Sequence, residues 1–172
     1  MITVENLRKE YCDDHVKTIA LDGVSFNIKG GEFVAIMGPS GSGKSTLMHI
    51  MGFLDRATSG SYKFEGQKMD DLIDDELAYI RNEKMGFVFQ FFNLLPRTNV
   101  FDNVKLPLIY TKIPRHEKDE RVKKAIESVS LSHRITHMPN QLSGGEQQRL
   151  AIARAIVNHP SVIFADEPTG NL

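Results

Sequence analysis

The residues best suited to chemistry are Gly38-Pro39-Ser40-Gly41-Ser42-Gly43-Lys44-Ser45. They satisfy the phosphate-binding loop pattern G-x-x-x-x-G-K-[ST] at every fixed position. Successive glycines let the backbone wrap a phosphate with its N–H groups turned inward, and the N-terminus of a following helix adds partial positive charge. In such a loop Lys44 neutralises the β- and γ-phosphates and the Ser45 hydroxyl ligates Mg²⁺, with Thr46 next in line. At ordinary residue frequencies the four fixed positions coincide by chance in well under ~1% of chains this long. The loop alone does not choose among kinases, GTPases and transport ATPases.

Two further segments carry polar groups in suggestive places. Val162-Ile163-Phe164-Ala165-Asp166-Glu167 is a short apolar run ending in adjacent carboxylates. Ligands gather at the carboxyl ends of parallel strands, so Asp166 is placed to hold Mg²⁺ and Glu167 to polarise an attacking water. Pro168 should hold Glu167 in extended geometry. An isolated Asp-Glu-Pro would more often be an acidic strand end, and the upstream loop reverses that preference. In Leu142-Ser143-Gly144-Gly145-Glu146-Gln147-Gln148-Arg149, the Ser143 to Glu146 spacing is a capping box, which puts Ser143 at a helix N-cap. Gly144 and Gly145 leave the first-turn N–H groups unshielded, as a second anion site requires. From the residues alone, an ordinary capped helix is the more frequent explanation.

The elements that must position these groups are legible in the hydrophobic pattern. Short β-like runs cover Thr3 to Arg8, Val24 to Ile28, Phe33 to Met37, Ser61 to Phe64 and Gly86 to Phe89. A helix is expected from Thr46 to Phe53, directly after the glycine loop. Beyond residue 90 the pattern turns helical: Pro114 to Ser130 should bury Val122, Ile126 and Val129, and Gly144 to His159 should form a helix ended by Pro160. Ser161 to Ala165 then reads as a buried parallel strand. The class is α/β.

Composition narrows the setting. A chain of 172 residues suits one core. With 21 Lys plus Arg against 22 Asp plus Glu there is no global field to recruit nucleic acid or anionic membrane. The single Cys12 forms no internal disulfide, and no Cys/His spacing suggests zinc. No signal peptide opens the sequence, and no run approaches the ~18 to 20 apolar residues that span a bilayer. A reducing cytosol fits, with any membrane association made through a partner.

Taken in order, Gly38 to Ser45, Gln90, Leu142 to Gln148 and Asp166-Glu167 resemble the ATP-binding subunits of ABC transporters over the whole chain. The wording of Ile36 to Met48, Phe53 to Gly60, Gly86 to Gln90 and Asn93 to Pro96 is most similar to the lipoprotein-releasing and macrolide-efflux branch. The resemblance implies a P-loop NTPase fold of ABC type, with a RecA-like parallel core sheet, a small antiparallel β subdomain and an α-helical subdomain. It divides residues 1–172 into a β subdomain with the P-loop core (1–90), a helical part with the signature helix (91–158) and a return to the core (159–172).

It also implies roles. Tyr11 would stack on adenine, the alternative being an aromatic packed on the small sheet. Gln90 would reach Mg²⁺ and the attacking water. Ser143, Gly144, Gly145 and Glu146 would close over ATP held by a second subunit's Lys44, in a head-to-tail homodimer. A transmembrane permease would dock near Gln90 to Pro96, although Phe91 to Leu95 could equally close the local core. The protein would then sit in the cytoplasm on the inner face of the cell membrane, with ATP and Mg²⁺ as its ligands. The family continues past Gly170-Asn171-Leu172 with a further strand and a γ-phosphate-sensing histidine. The 172-residue chain is therefore expected to be incomplete, with an open sheet edge beside Asp166 and little ATPase activity by itself. Other readings are an ABC ATPase that regulates a membrane partner without transport, as in cell-division relatives, and a soluble ABC ATPase. The absence of sustained heptads between Lys44 and Ser143 argues against the DNA-repair kind. A GTPase is disfavoured because no Asn-Lys-x-Asp motif occurs.

Overall fold

A computed structural model describes residues 1–13 and 16–168. The chain divides into two compact units, Met1–Ala78 and Tyr79–Leu172.

In the first unit, β1 (Ile2–Asp13) and β2 (Val16–Ile28) form an antiparallel pair from Ile2 opposite Ile28 to Asp13 opposite Val16. On the other side of β1 lies β3 (Ser59–Phe64), followed by the short β4 (Gln67–Lys68), giving the order β2-β1-β3-β4. Side chains alternate across a strand, and Ile2 opposite Phe64 and Val4 opposite Tyr62 put four buried residues on one face. Helix α1 (Lys44–Met51) buries Leu47, Met48, Ile50 and Met51. The Tyr62 hydroxyl donates to the Met51 carbonyl at 2.7 Å, and burial pushes that phenol far up. Phe53 packs its ring 5.4 Å from Tyr62 and edge-on to Phe64 at 6.2 Å. The end of α1 is thus fixed to the sheet by a buried hydrogen bond and aromatic packing.

The expected strand at Phe33 to Met37 does not form. Residues 32–39 carry no ladder, and Phe33 and Met37 are 97% and 89% exposed. A parallel core strand is held by neighbours on its edges and cover on its faces. Among the described residues this run has no strand partner, so its apolar pattern has no sheet to join.

Helix α2 (Asp74–Lys84) runs across the division between the units, with Asp74, Asp75 and Glu76 in its first turn and Arg81 and Lys84 in its last, as the helix dipole favours. In the second unit, β5 (Met85–Val88) and β6 (Val162–Ala165) are parallel, with Met85 opposite Val162 and Val88 opposite Ala165. Among the described residues β6 pairs with no other strand. The helices are α3 (Val100–Lys105), α4 (Arg115–Ser128) and α5 (Gly144–Ile156). Their core joins Val100, Val104, Leu108, Val122, Ile126, Leu150 and Val157. Val122 and Ile126 are buried as their spacing predicts, and Val129 packs partly against the same cluster. Pro114 stands just before α4, where its missing N–H costs nothing. A Cβ on Gly86 would lie 2.5 Å from the Ala155 carbonyl oxygen, so β5 and α5 approach backbone to backbone. Among the described residues no helix is long and apolar enough to cross a membrane.

Candidate active site

In each unit one helix N-terminus is preceded by, or opens on, glycine. In the first unit α1 starts after Gly43, whose φ of 87° lies in the left-handed region. A Cβ there would stand 2.3 Å from the Ala20 carbonyl oxygen, so both conformation and space require glycine. No side chain caps α1. Gly41 is also left-handed, at φ 80°, and the Ser42 N–H closes a turn on the Pro39 carbonyl at 3.3 Å. Lys44 Nζ folds back over the loop and donates to the carbonyls of Gly38 and Pro39 at 3.0 and 2.8 Å. Its ammonium therefore lies along the glycine turn, with Ser45 and Thr46 following in the first turn of α1.

Tyr11 stands near the end of β1, 43% exposed. Its hydroxyl donates to Asp55 Oδ2 at 2.8 Å. Lys9 Nζ lies 4.8 Å from the ring centroid and donates to Asp55 Oδ1 at 2.6 Å and to the Arg56 carbonyl at 2.7 Å. Burial and the Asp55 carboxylate raise the Tyr11 phenol, keeping it a neutral donor. Burial works to raise Asp55 as well, but the hydrogen bonds from Lys9 and Tyr11 outweigh it and hold that carboxyl below its ordinary value. The ring is thus held from its hydroxyl end and partly exposed. Lys9 covers one of its faces, a cation–π contact that helps fix its plane.

In the second unit Gln90 follows β5 and Asp166 follows β6. Because these strands are parallel neighbours, Gln90, Asp166 and Glu167 leave the sheet at the same end. The Asp166 N–H donates to the Val88 carbonyl at 3.0 Å, extending the ladder to that residue. Glu167 departs from the extended geometry expected before Pro168: its φ is 42°. The chain turns there, and the Gln148 side-chain amide bonds the Pro168 carbonyl. A left-handed non-glycine residue costs roughly 1–2 kcal/mol, a strain typical of positions where a side chain must be aimed. The loop beginning at Gly170 to Leu172 lies outside the described residues.

Helix α5 opens differently from α1. Ser143, at φ −66° and ψ 164°, is its N-cap. The Ser143 Oγ accepts from the Glu146 N–H at 3.3 Å, and Glu146 Oε2 accepts from the Ser143 N–H at 2.8 Å. Arg134 Nε donates to Glu146 Oε1 at 3.0 Å. The Ser143 backbone bond, then Arg134, push the Glu146 carboxyl down to about 2. Leu142 is buried beneath the turn, while Ser143 and Gly144 are exposed. The first turn of α5 is therefore prebuilt and open to solvent.

The loop after Gln90 is shaped from within. Phe92 and Asn93 are both left-handed, at φ 58° and 47°. Arg154, in the last turn of α5, donates to the carbonyl of each at 2.6 Å. The fully buried Asn103 accepts the Leu95 N–H at 2.9 Å, and its amide donates to the carbonyls of Leu95, Thr98 and Asn99. Phe91 is 75% exposed and Leu95 also faces outward, whereas Leu94 packs on the helical core. The apolar run thus divides between solvent and core. The bracing roles of Lys9, Asp55, Arg134, Asn103 and Arg154 belong to no motif, although Asp55 lies within the Phe53 to Gly60 resemblance. Apart from the Ser143 to Glu146 box beside Arg134, no local pattern signals them.

Comparison with known proteins bears on the whole arrangement. The profile of the ABC transporter family matches residues 21–170. The ABC transporter ATP-binding protein YknY of Bacillus subtilis is 54% identical over 172 residues, covering all of this chain and 75% of that protein. The macrolide export ATP-binding/permease protein MacB of Bdellovibrio bacteriovorus is 52% identical over 172 residues; the chain spans 26% of its length. Among solved structures, the dimeric post-hydrolysis state of the ATP-binding cassette MJ0796 bound to ADP and Pi matches with a TM-score of 0.91 at 47% identity, over all of this chain and 76% of that one. A second dimeric structure of MJ0796, a bacterial ABC transporter cassette, matches with the same TM-score at 48% identity. An uncapped glycine turn with its lysine, a parallel strand leading into Asp166-Glu167, and a serine-capped helix opening on glycines all occur in a chain matched along nearly its full length: it belongs to the ABC transporter family, as an ATP-binding ATPase subunit close to the MacB type.

Proposed function

We propose that the chain powers export through a membrane permease by closing and opening a head-to-tail pair of ATP sites. The observation that carries this reading is the presence in one chain of two helix N-termini of complementary make. One is a glycine turn with an ammonium folded along it; the other is an exposed, serine-capped turn. Each ATP would lie between Gly38 to Thr46 of one subunit and Ser143 to Glu146 of the other. Tyr11 would take the adenine on the ring face that Lys9 leaves open. ATP favours the closed pair because it binds that state better, and loss of the γ-phosphate removes the bridge.

Ser45, Gln90 and Asp166 offer hydroxyl, amide and carboxylate oxygens, the hard donors Mg²⁺ prefers. Among the described residues no three His, Cys, Asp or Glu cluster into a cage. A metal held by one or two side chains, waters and substrate phosphates is the usual Mg²⁺ arrangement and fits this donor set. When bound, Mg²⁺ supplies charge neutralisation at the phosphates. Glu167 takes up the proton of the water that attacks the γ-phosphorus, while Lys44 holds the terminal phosphates as the bond to ADP breaks.

The exposed Phe91 and Leu95 give a docking face for a permease near Gln90 to Pro96. The similarity to MacB favours macrolide- or lipoprotein-type export and a site on the inner membrane face. In this reading the helical part, 91–158, presents the signature turn, and residues 1–90 and 159–172 hold the nucleotide.

The test uses the full-length protein carrying Glu167→Gln. With hydrolysis blocked, MgATP should convert it from monomer to dimer in size-exclusion chromatography with light scattering. A monomer at saturating MgATP overturns the shared-site reading.

A further inference from the structure

Arg154 is the place where the second unit joins its two functional surfaces. It lies in the last turn of α5, at the opposite end from Ser143, and reaches across the chain to residues just past Gln90. Its NH2 and NH1 groups donate separately to the carbonyls of Phe92 and Asn93, both at 2.6 Å. A planar guanidinium fork suits two acceptors that point the same way, and two successive left-handed residues supply that. Phe92 is a bulky residue that disfavours the left-handed backbone Arg154 holds, whereas Asn93 tolerates it. Burial also pulls the guanidinium below its ordinary value, a sign that the cation has given up water for this contact. Asn103 binds the other end of the same loop through Leu95, Thr98 and Asn99. The described hydrogen bonds from α5 side chains to the loop are those of Arg154.

We propose that Arg154 is a positioning residue that makes the loop after Gln90 and the Ser143 helix move as one body, so that a permease acting on Phe91 and Leu95 displaces the turn that closes over ATP. This rests on the shared-site reading above. Coupling of this kind needs a contiguous physical connection, and a two-pronged clasp between helix and loop supplies one.

The test measures MgATP affinity and turnover of full-length protein, with and without its membrane partner, for wild type, Arg154→Ala, Arg154→Lys and Lys44→Ala. For Arg154→Ala, MgATP affinity and partner-free kcat should stay within about threefold of wild type, while the partner-stimulated rise in kcat falls about tenfold or more. Arg154→Lys keeps the charge but not the fork, and should lose about threefold or more of the stimulation. Full stimulation in either variant overturns the proposal, as does an equal proportional fall with and without the partner, which marks a merely structural role. If Arg154→Ala does not fold, as judged by thermal melting, Arg154→Lys decides by the same ratio. Lys44→Ala separates the two levels of argument. Turnover that survives it removes the site assignment itself. Turnover lost in Lys44→Ala but fully stimulated in the Arg154 variants removes only the coupling role.

Discussion

The N-termini of α1 and α5 are built by opposite means. At α1 the turn is shaped by glycine: Gly43 is left-handed, sits against the Ala20 carbonyl, and leaves the helix without a side-chain cap. At α5 it is shaped by side chains: Ser143 and Glu146 bond each other's backbone and Arg134 braces the carboxylate. A glycine turn is specified by what cannot fit, and so has sharp steric limits and little adjustable energy. A capped turn is specified by bonds that can be removed singly, each for a modest loss. Sequence change should therefore be all-or-none at the first site and graded at the second.

The largest effect is expected at Gly43→Ala. The new methyl would meet the Ala20 oxygen at 2.3 Å in a backbone conformation alanine disfavours. Equilibrium unfolding in urea should show a loss of roughly 2–4 kcal/mol, with MgATP binding lost alongside. A stability change below ~0.5 kcal/mol would break the contrast by showing that the turn can relax.

A smaller effect is expected at Ser143→Ala. It removes one acceptor of the box and leaves the Glu146 bond to the residue 143 N–H, so the expected cost is about 1 kcal/mol. The same urea titration measures it. A loss as large as that of Gly43→Ala would mean that the two turns are equally brittle.

The smallest concerns acid. Glu146 has its carboxyl lowered from 4.5 to about 2 in the folded protein. A lowered folded value means that the unfolded chain binds the proton first, so this contribution is fully present above about pH 4.5 and fades as the pH falls towards 2. Glu146→Gln should remove that component, so thermal midpoints of variant and wild type should converge as the pH is lowered from 5 to 3. A constant gap between them would show that the carboxylate charge does not brace the turn.

These differences also explain what could be read in advance. The glycine loop, the capping box and the apolar face of α4 are local patterns, and each is present where its residues predict. β5 and β6 likewise follow from short apolar runs between turn signals. The run Phe33 to Met37 has the composition of a strand but lacks a ladder among the described residues, because strand formation depends on neighbours that a local pattern does not contain. Glu167 was expected to be extended from Pro168 alone, yet the tie between Pro168 and Gln148, on a distant helix, accompanies a left-handed turn. The supports of the site are non-local in the same way. Tyr11 depends on Asp55, and Phe92 and Asn93 on Arg154, across stretches with no periodicity to betray them. Motifs name the candidate groups; the bracing behind them emerges only from tertiary contact.

At Gly86 the Ala155 carbonyl leaves no room for a side chain between β5 and α5. Elsewhere helices ride on strands over a cushion of side chains that can change rotamer and allow sliding. Here that cushion is missing at one point, and main chain bears on main chain. Any side chain at residue 86 would have to push α5 off β5, so the spacing of this helix from its strand is set by the lack of a single methyl group.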